Sequence, residues 1–326
     1  MIPSGRDDAA PTTAMTSDGF PESRHGAAGA GASVPAGWEA RLALRFEAGA
    51  GGTRLACNRH QGPLRLLKTL RSEDGRRLEA VLVHPPGGLV GGDSLRLDLV
   101  LGGGARVLAT TPGAQKWYGR SGQPASADTR LALDDGALLE WLPQAAIVYD
   151  GAHARQSLAV ALSRGAAFIG WEVLVRGRTA MGERFASGRI DQVLAIAIEG
   201  VPIWQERLFA DAADRLFDSP LGWDGRLAAA SVWCCAPSLA PARLADLRDR
   251  WRRLIDAGEA AAPATGAAPR SAVLDGGATI PAPGLVLAKL LGDDSEMLAA
   301  CCRALWRTAR GCVEGDDGSL PRIWRT

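Results

Sequence analysis

Four acidic side chains stand where acids are costly. Asp93 closes a Gly-Gly turn, Glu140 sits in LLEWLP beside Trp141, Glu172 follows Trp171 within AFIGWEVLVRG, and Glu206 precedes Arg207 in an apolar stretch. A carboxylate among large apolar neighbours is expensive to bury unless it is paired, hydrated or bound to a cation. Two readings stay open for these acids. One is structural pairing, for Glu206 with a nearby arginine; the other is an internal polar path. Carboxylate and water ligands suit a protein that passes a divalent ion along, because softer thiolate or imidazole ligands would hold it too tightly for release.

The other chemistries suggested by residue type fail on spacing. The stretch from His84 to Tyr118 contains HPPGGLVGGD and LATTPGAQKWY. Its glycines give neither the P-loop, which needs a glycine before its lysine where Lys116 follows Gln115, nor the dinucleotide fingerprint G-x-G-x-x-G. A Cys57/His60/His84 metal site lacks a fourth ligand and the close spacing of a structural zinc site. His84, ahead of Pro85, has the simpler role of setting the turn, because the following ring favours extended geometry. No Gly-x-Ser-x-Gly is present, and Ser121 lies in a glycine-rich loop without an obvious histidine partner. Catalysis is not indicated.

The chain has 326 residues, 47% of them hydrophobic and 22% charged, enough for one large domain or two modest ones. A net charge of +1 and four scattered histidines leave no electrostatic footprint for nucleic acid or an anionic membrane. No apolar run is long enough to cross a bilayer, and Asp7 and Asp8 stand near the start without an apolar signal core, so the cytoplasm is the expected compartment. The six cysteines, at 57, 234, 235, 301, 302 and 312, show no C-x-x-C spacing and are expected as buried, reduced thiols.

Residues 1–36 are rich in Ala, Gly, Pro, Ser and Thr and are expected to form a disordered tail, with 37–326 as a single domain. From Trp38 the pattern alternates: Trp38, Ala40, Leu42, Leu44 and Phe46 face one way, a half-buried strand. A unit of alternating strand, tight turn, Gly-Ala pair and second apolar strand then recurs three times, at Leu95–Leu101, at Leu131–Leu133 and at Leu158–Leu162. The class is therefore mainly β, either an elongated β-helix-like body of stacked units or a set of stacked hairpins. Two helices are expected in the C-terminal half. One follows Pro241, with Leu244, Leu247, Trp251, Leu254 and Ile255 on one face and an end before Gly258. The second starts near Asp293, Asp294 and Ser295, carries Leu298, Cys301, Cys302 and Leu305, and ends before Gly311. Glu259 to Pro269 reads as a flexible connector.

Taken together, the motifs resemble the urease accessory protein family UreD, also called UreH. His84-Pro85-Pro86-Gly87-Gly88 with Gly91-Gly92-Asp93 is similar to the family's core motif, and Thr111-Pro112-Gly113-Ala114 with Lys116 and Tyr118 to its second. Trp141-Leu142-Pro143-Gln144, Gly177-Arg178, Gly182-Glu183 with Phe185, Glu206-Arg207-Leu208 and Pro321-Arg322-Ile323-Trp324 extend the resemblance from Gly37 to the last residue. Trp117 departs from the usual phenylalanine-type aromatic, and the amino-terminal tail is longer than expected. The resemblance implies a non-enzymatic scaffold and nickel conduit that binds apo-urease, UreF and the GTPase UreG, with nickel as transient cargo and no resident cofactor. It places Asp93, Glu172 and Glu206 on the nickel path; Glu140 joins them as a fourth buried acid. A purely structural adaptor and, at a distance, a metallohydrolase are the alternatives.

Overall fold

The computed structural model describes residues 37–72, 75–119, 122–178, 181–257, 274–316 and 320–325. The expected tail at 1–36, Ser121, Gly258 and the connector from Glu259 to Pro269 lie outside the described residues.

The chain enters through β1 (Glu39–Gly49), β2 (Gly52–Gln61) and β3 (Arg65–Arg71). Four coils follow. They are β4 (Leu78–Val83) with β5 (Ser94–Leu101); β6 (Arg106–Thr110), β7 (Gln115–Trp117) and β8 (Ala125–Leu133); β9 (Leu138–Leu142), β10 (Ala146–Val148) and β11 (His153–Leu162); and β12 (Ala167–Arg176) with β13 (Arg189–Ile198). The end is built from β14 (Val201–Asp211), β15 (Ala228–Cys235), α1 (Pro241–Asp256), β16 (Leu274–Ala282), β17 (Leu285–Gly292) and α2 (Ser295–Glu314).

Each coil contributes a strand to each of two sheets. One sheet has the order β14-β13-β11-β8-β5-β1-β2, the other β16-β17-β15-β12-β9-β6-β4-β3 with β7 and β10 as a short side pairing. Consecutive coils pair in parallel in both sheets, as in β5 with β8, β8 with β11, and β6 with β9. This decides between the two architectures left open by the pattern. The recurring units are coils of a solenoid, because the Gly-Ala turns carry the chain across to the opposite sheet instead of folding it back beside itself. Neighbouring turns then bond to one another: Gly102 N–H donates to Phe46 O, Asp134 N–H to Leu101 O, and Ser163 N–H to Leu133 O. Gly104 and Gly136 both have φ +71°, the left-handed geometry that lets these corners be tight.

Parallel register aligns identical positions of successive coils into inward columns. Phe46, Leu101, Leu133, Leu162 and Ile198 form one such column, and all are buried. No coil buries its apolar face alone; stacking does. Ala40, Leu42, Leu44 and Phe46 face this core as the alternation predicts. Trp38 does not. It precedes β1 and is 57% exposed, and its backbone N–H donates to Asp93 Oδ1 at 2.8 Å, which ties it to the Gly-Gly-Asp turn.

The helices cover the outer face of the β16–β3 sheet. Pro at the first turn starts α1, and Leu244, Leu247, Trp251 and Ile255 are its buried stripe. Asp294 caps α2 by accepting from the N–H groups of Glu296 and Met297. The helix runs past Gly311, where the sequence suggested a stop, because Cys312 and Val313 still pack on the core; Gly315, at φ +79°, ends it. Cys234 and Cys235 fall on opposite faces of β15, each in a different apolar cluster, and Cys301 and Cys302 are fully buried.

Candidate functional site

The two glycine-rich motifs meet in space. Leu89 N–H donates to Lys116 O and Tyr118 N–H donates to Leu89 O, both at 2.8 Å, so the segment after His84 runs alongside β7. A Cβ on Gly88 would lie 2.3 Å from the Tyr118 ring, so that close approach admits only glycine. Gly87 and Gly92 have φ of +78° and +96°. Asp93 secures the turn: besides Trp38 N–H, it accepts from Val90 N–H at 2.9 Å through Oδ2.

Both motifs wall a cavity of about 400 Å³, which His84, Pro112, Gly113 and Lys116 help to line. A second, of about 50 Å³, shares Gln115, Ala127, Thr129, Trp141 and Pro143 with it. A third, of about 500 Å³, shares Glu172 with the small one. The three form a row lined from both sheets. Along it, buried polar atoms have no hydrogen-bond partner among the described residues: both ring nitrogens of His84, Gln115 Nε2 and Trp141 Nε1. Burial lowers the His84 pKa, with Asp93 pulling the other way.

A polar layer crosses the sandwich at Glu172. Gln156 and Gln192 face each other in register on adjacent parallel strands, and the rest of their inward column, Ala40, Leu95 and Ala127, is apolar. Gln156 Nε2 donates to Glu172 Oε1 at 2.8 Å and Gln192 Nε2 to Oε2 at 2.7 Å. On its own sheet Glu172 aligns with Ser231 and Lys289. Lys289 Nζ donates to Ser231 Oγ and to Glu206, each at 2.7 Å, and Trp204 Nε1 donates to Glu206 at 3.0 Å. Burial pushes the Glu172 carboxyl up to about 7; the two glutamine amides pull it down, Glu206 pushes it further up, and Lys289 opposes that. Glu172 thus stands in a row of cavities with no cation among the described residues bonded directly to it.

The four acids selected by sequence separate. Glu172 and Glu206 line the 500 Å³ cavity. Asp93 and Glu140 line none of the three cavities, for different reasons. Asp93 spends its oxygens on the turn, whereas Glu140 faces the helices from the opposite side of the sheet, fully buried, bonded by Arg77 Nη1 at 3.1 Å, Arg310 Nη1 at 2.7 Å and Trp306 Nε1 at 2.7 Å. Glu206 has its salt bridge, but to Lys289; Arg207 pairs with Asp191. The Cys57/His60/His84 grouping does not form a site. Among the described residues no three His, Cys, Asp or Glu side chains cluster to hold a metal, and His60 is exposed against Arg65. Sequence reasoning missed Gln156, Gln192, Ser231 and Lys289. Parity would have found the two glutamines, each two residues before an inward leucine, Leu158 or Leu194.

Among the described residues, no helix is long and apolar enough to cross a membrane. The family profile described as "UreD urease accessory protein" matches residues 39–325. The chain is 37% identical over 289 residues to the urease accessory protein UreD of Dechloromonas aromatica (strain RCB), covering 89% of this chain and 95% of that one. It is 42% identical over 278 residues to the UreD of Methylibium petroleiphilum, covering 82% and 90%, and 38% identical over 290 residues to that of Azoarcus sp. (strain BH72), covering 89% and 95%. A match across nearly the whole folded body, the cavity row included, makes this chain a member of the UreD family of urease accessory proteins.

Proposed function

We propose that this urease maturation factor is both a scaffold and a nickel conduit: it binds apo-urease, recruits UreF and UreG, and passes nickel between its two sheets toward the urease active site without turning over a substrate. The observation that carries this reading is the row of cavities joined at Glu172. Its buried, unpartnered polar atoms fit a hydrated interior, since such groups are satisfied by water where a cavity admits it. Its acids, Glu172 and Glu206, offer the weak oxygen ligands that allow release. Asp93 and Glu140 belong to the framework in this reading.

A structural adaptor is the second reading, favoured by the Lys289–Glu206 pair, which already compensates one of the two acids. Co-expression with the urease genes separates the two. Glu172→Leu should keep the yield of the complex with urease and UreF, while nickel per urease active site falls about tenfold, the effect of roughly 1.4 kcal/mol on a transfer step. Adding Glu206→Leu should lower it little further, because both changes block one route. Full nickel loading by a well-folded Glu172→Leu complex favours the adaptor.

A further inference from the structure

The throat of the cavity row is a three-residue arrangement, not a single acid. Glu172 is the residue that the small and large cavities share; Gln156 lines the small one and Gln192 the large one. An ionised carboxylate only accepts hydrogen bonds, so each amide is turned with its N–H end inward, at 2.8 and 2.7 Å. In that orientation the positive ends of two amide dipoles face the place where a cation would have to pass. Each amide carries its carbonyl oxygen on the other arm of the same planar group, so a half-turn about the terminal torsion exchanges donor for acceptor without moving the backbone or changing volume.

We propose that Gln156 and Gln192 are gate residues that touch the passing cation: by turning their amides they replace the N–H groups holding Glu172 with carbonyl oxygens, converting the throat into a three-oxygen station for a divalent ion. The proposal rests on the conduit reading and assigns the step by which cargo leaves the small cavity for the large one. With the amides inward, Glu172 is held by both sheets and the throat is closed. A divalent cation offers the carboxylate a stronger partner than two neutral N–H groups and draws the carbonyls round. One carboxylate and two neutral carbonyls make a hard, oxygen-only set of low charge, which favours brief occupancy. Glu206 and Ser231, in the large cavity, receive the ion next. The ammonium of Lys289 already occupies the Glu206 carboxylate, so a cation arriving there must displace it.

Two kinds of variant test the gate in the full chain. Gln156→Met and Gln192→Met keep the length of the side chain and remove the amide. Each should leave complex yield within about twofold while nickel per urease active site falls about tenfold, as the loss of one of three ligands implies. Gln156→Glu adds a fixed charge and should do the opposite to retention: the purified chain should bind nickel chloride about tenfold more tightly in equilibrium dialysis, yet deliver less to urease. A role confined to holding Glu172 in place predicts no such gain in binding. If Glu172→Leu blocks loading but both methionine variants load fully, the gate is overturned and the conduit stands. If Glu172→Leu itself loads fully, the conduit falls and the gate with it. Should the methionine variants fail to assemble, unchanged nickel binding by Gln156→Glu overturns the gate.

Discussion

Glu140 and Glu172 are both buried glutamates on neighbouring parallel strands of one sheet, and they show what burial alone does not decide. Glu140 points toward α2, where the Arg310 guanidinium and the Trp306 indole N–H of that helix meet it together with the Arg77 guanidinium. Glu172 points into the sandwich, where its direct partners are neutral amides. The first has its charge cancelled on the spot and closes a joint between strand and helix. The second has neutral direct partners among the described residues and answers its burial with a raised carboxyl pKa beside open volume.

The largest effect should come from breaking the compensated site. Glu140→Leu leaves Arg77 and Arg310 buried without their shared carboxylate and should cost about 3–5 kcal/mol, seen as loss of soluble protein or a large drop in melting temperature. A Glu140→Leu chain as stable as wild type would erase the contrast between the two acids.

At Glu172 the expected sign is reversed. Its folded pKa of about 7 lies above the usual carboxylate value, so between roughly pH 4.5 and 7 the folded state binds more protons than the unfolded one, and stability falls as pH rises through that window. About 3 kcal/mol rides on this group, and Glu172→Gln should remove that pH dependence and raise stability at pH 7.5. Denaturant melts at several pH values check it; a variant that keeps the wild-type slope would mean that Glu172 is compensated after all.

The smallest effect should be at Asp93, a buried turn acid that belongs with neither. Asp93→Ala orphans the N–H groups of Trp38 and Val90 and should cost about 1–2 kcal/mol, with nickel delivery following complex yield. Delivery that falls while yield is kept would return Asp93 to the path.

Period-two alternation made the strands legible, and a first-turn proline and a capping aspartate made the two helix starts legible. Strand direction was not, since Leu95–Leu101 alternates identically in a hairpin and in a coil; only the partner's register distinguishes them. Glu172 could be singled out because a charge inside an all-apolar strand is conspicuous in one dimension. Its surroundings lay beyond reach of any local pattern: Lys289 arrives from far along the chain to meet Glu206, and Arg310 stands 170 residues from Glu140. The same conspicuousness picked out Glu140, which lines none of the three cavities, because sequence shows that an acid is buried but not which face of the sheet it leaves by.

The paired cysteines have a consequence for reactivity. Burial holds the Cys235 and Cys301 thiols at about 12 and raises Cys234 and Cys302 well above the ordinary range. At neutral pH a thiol of that kind is ionised in only about one molecule in 10⁵, and the thiolate is the form that captures nickel or reacts with an electrophile. None of the six cysteines lines the three cavities. Cys234, Cys235, Cys301 and Cys302 are therefore held in protonated, hydrocarbon-like form within the core, whereas Cys57 and Cys312 are only partly buried.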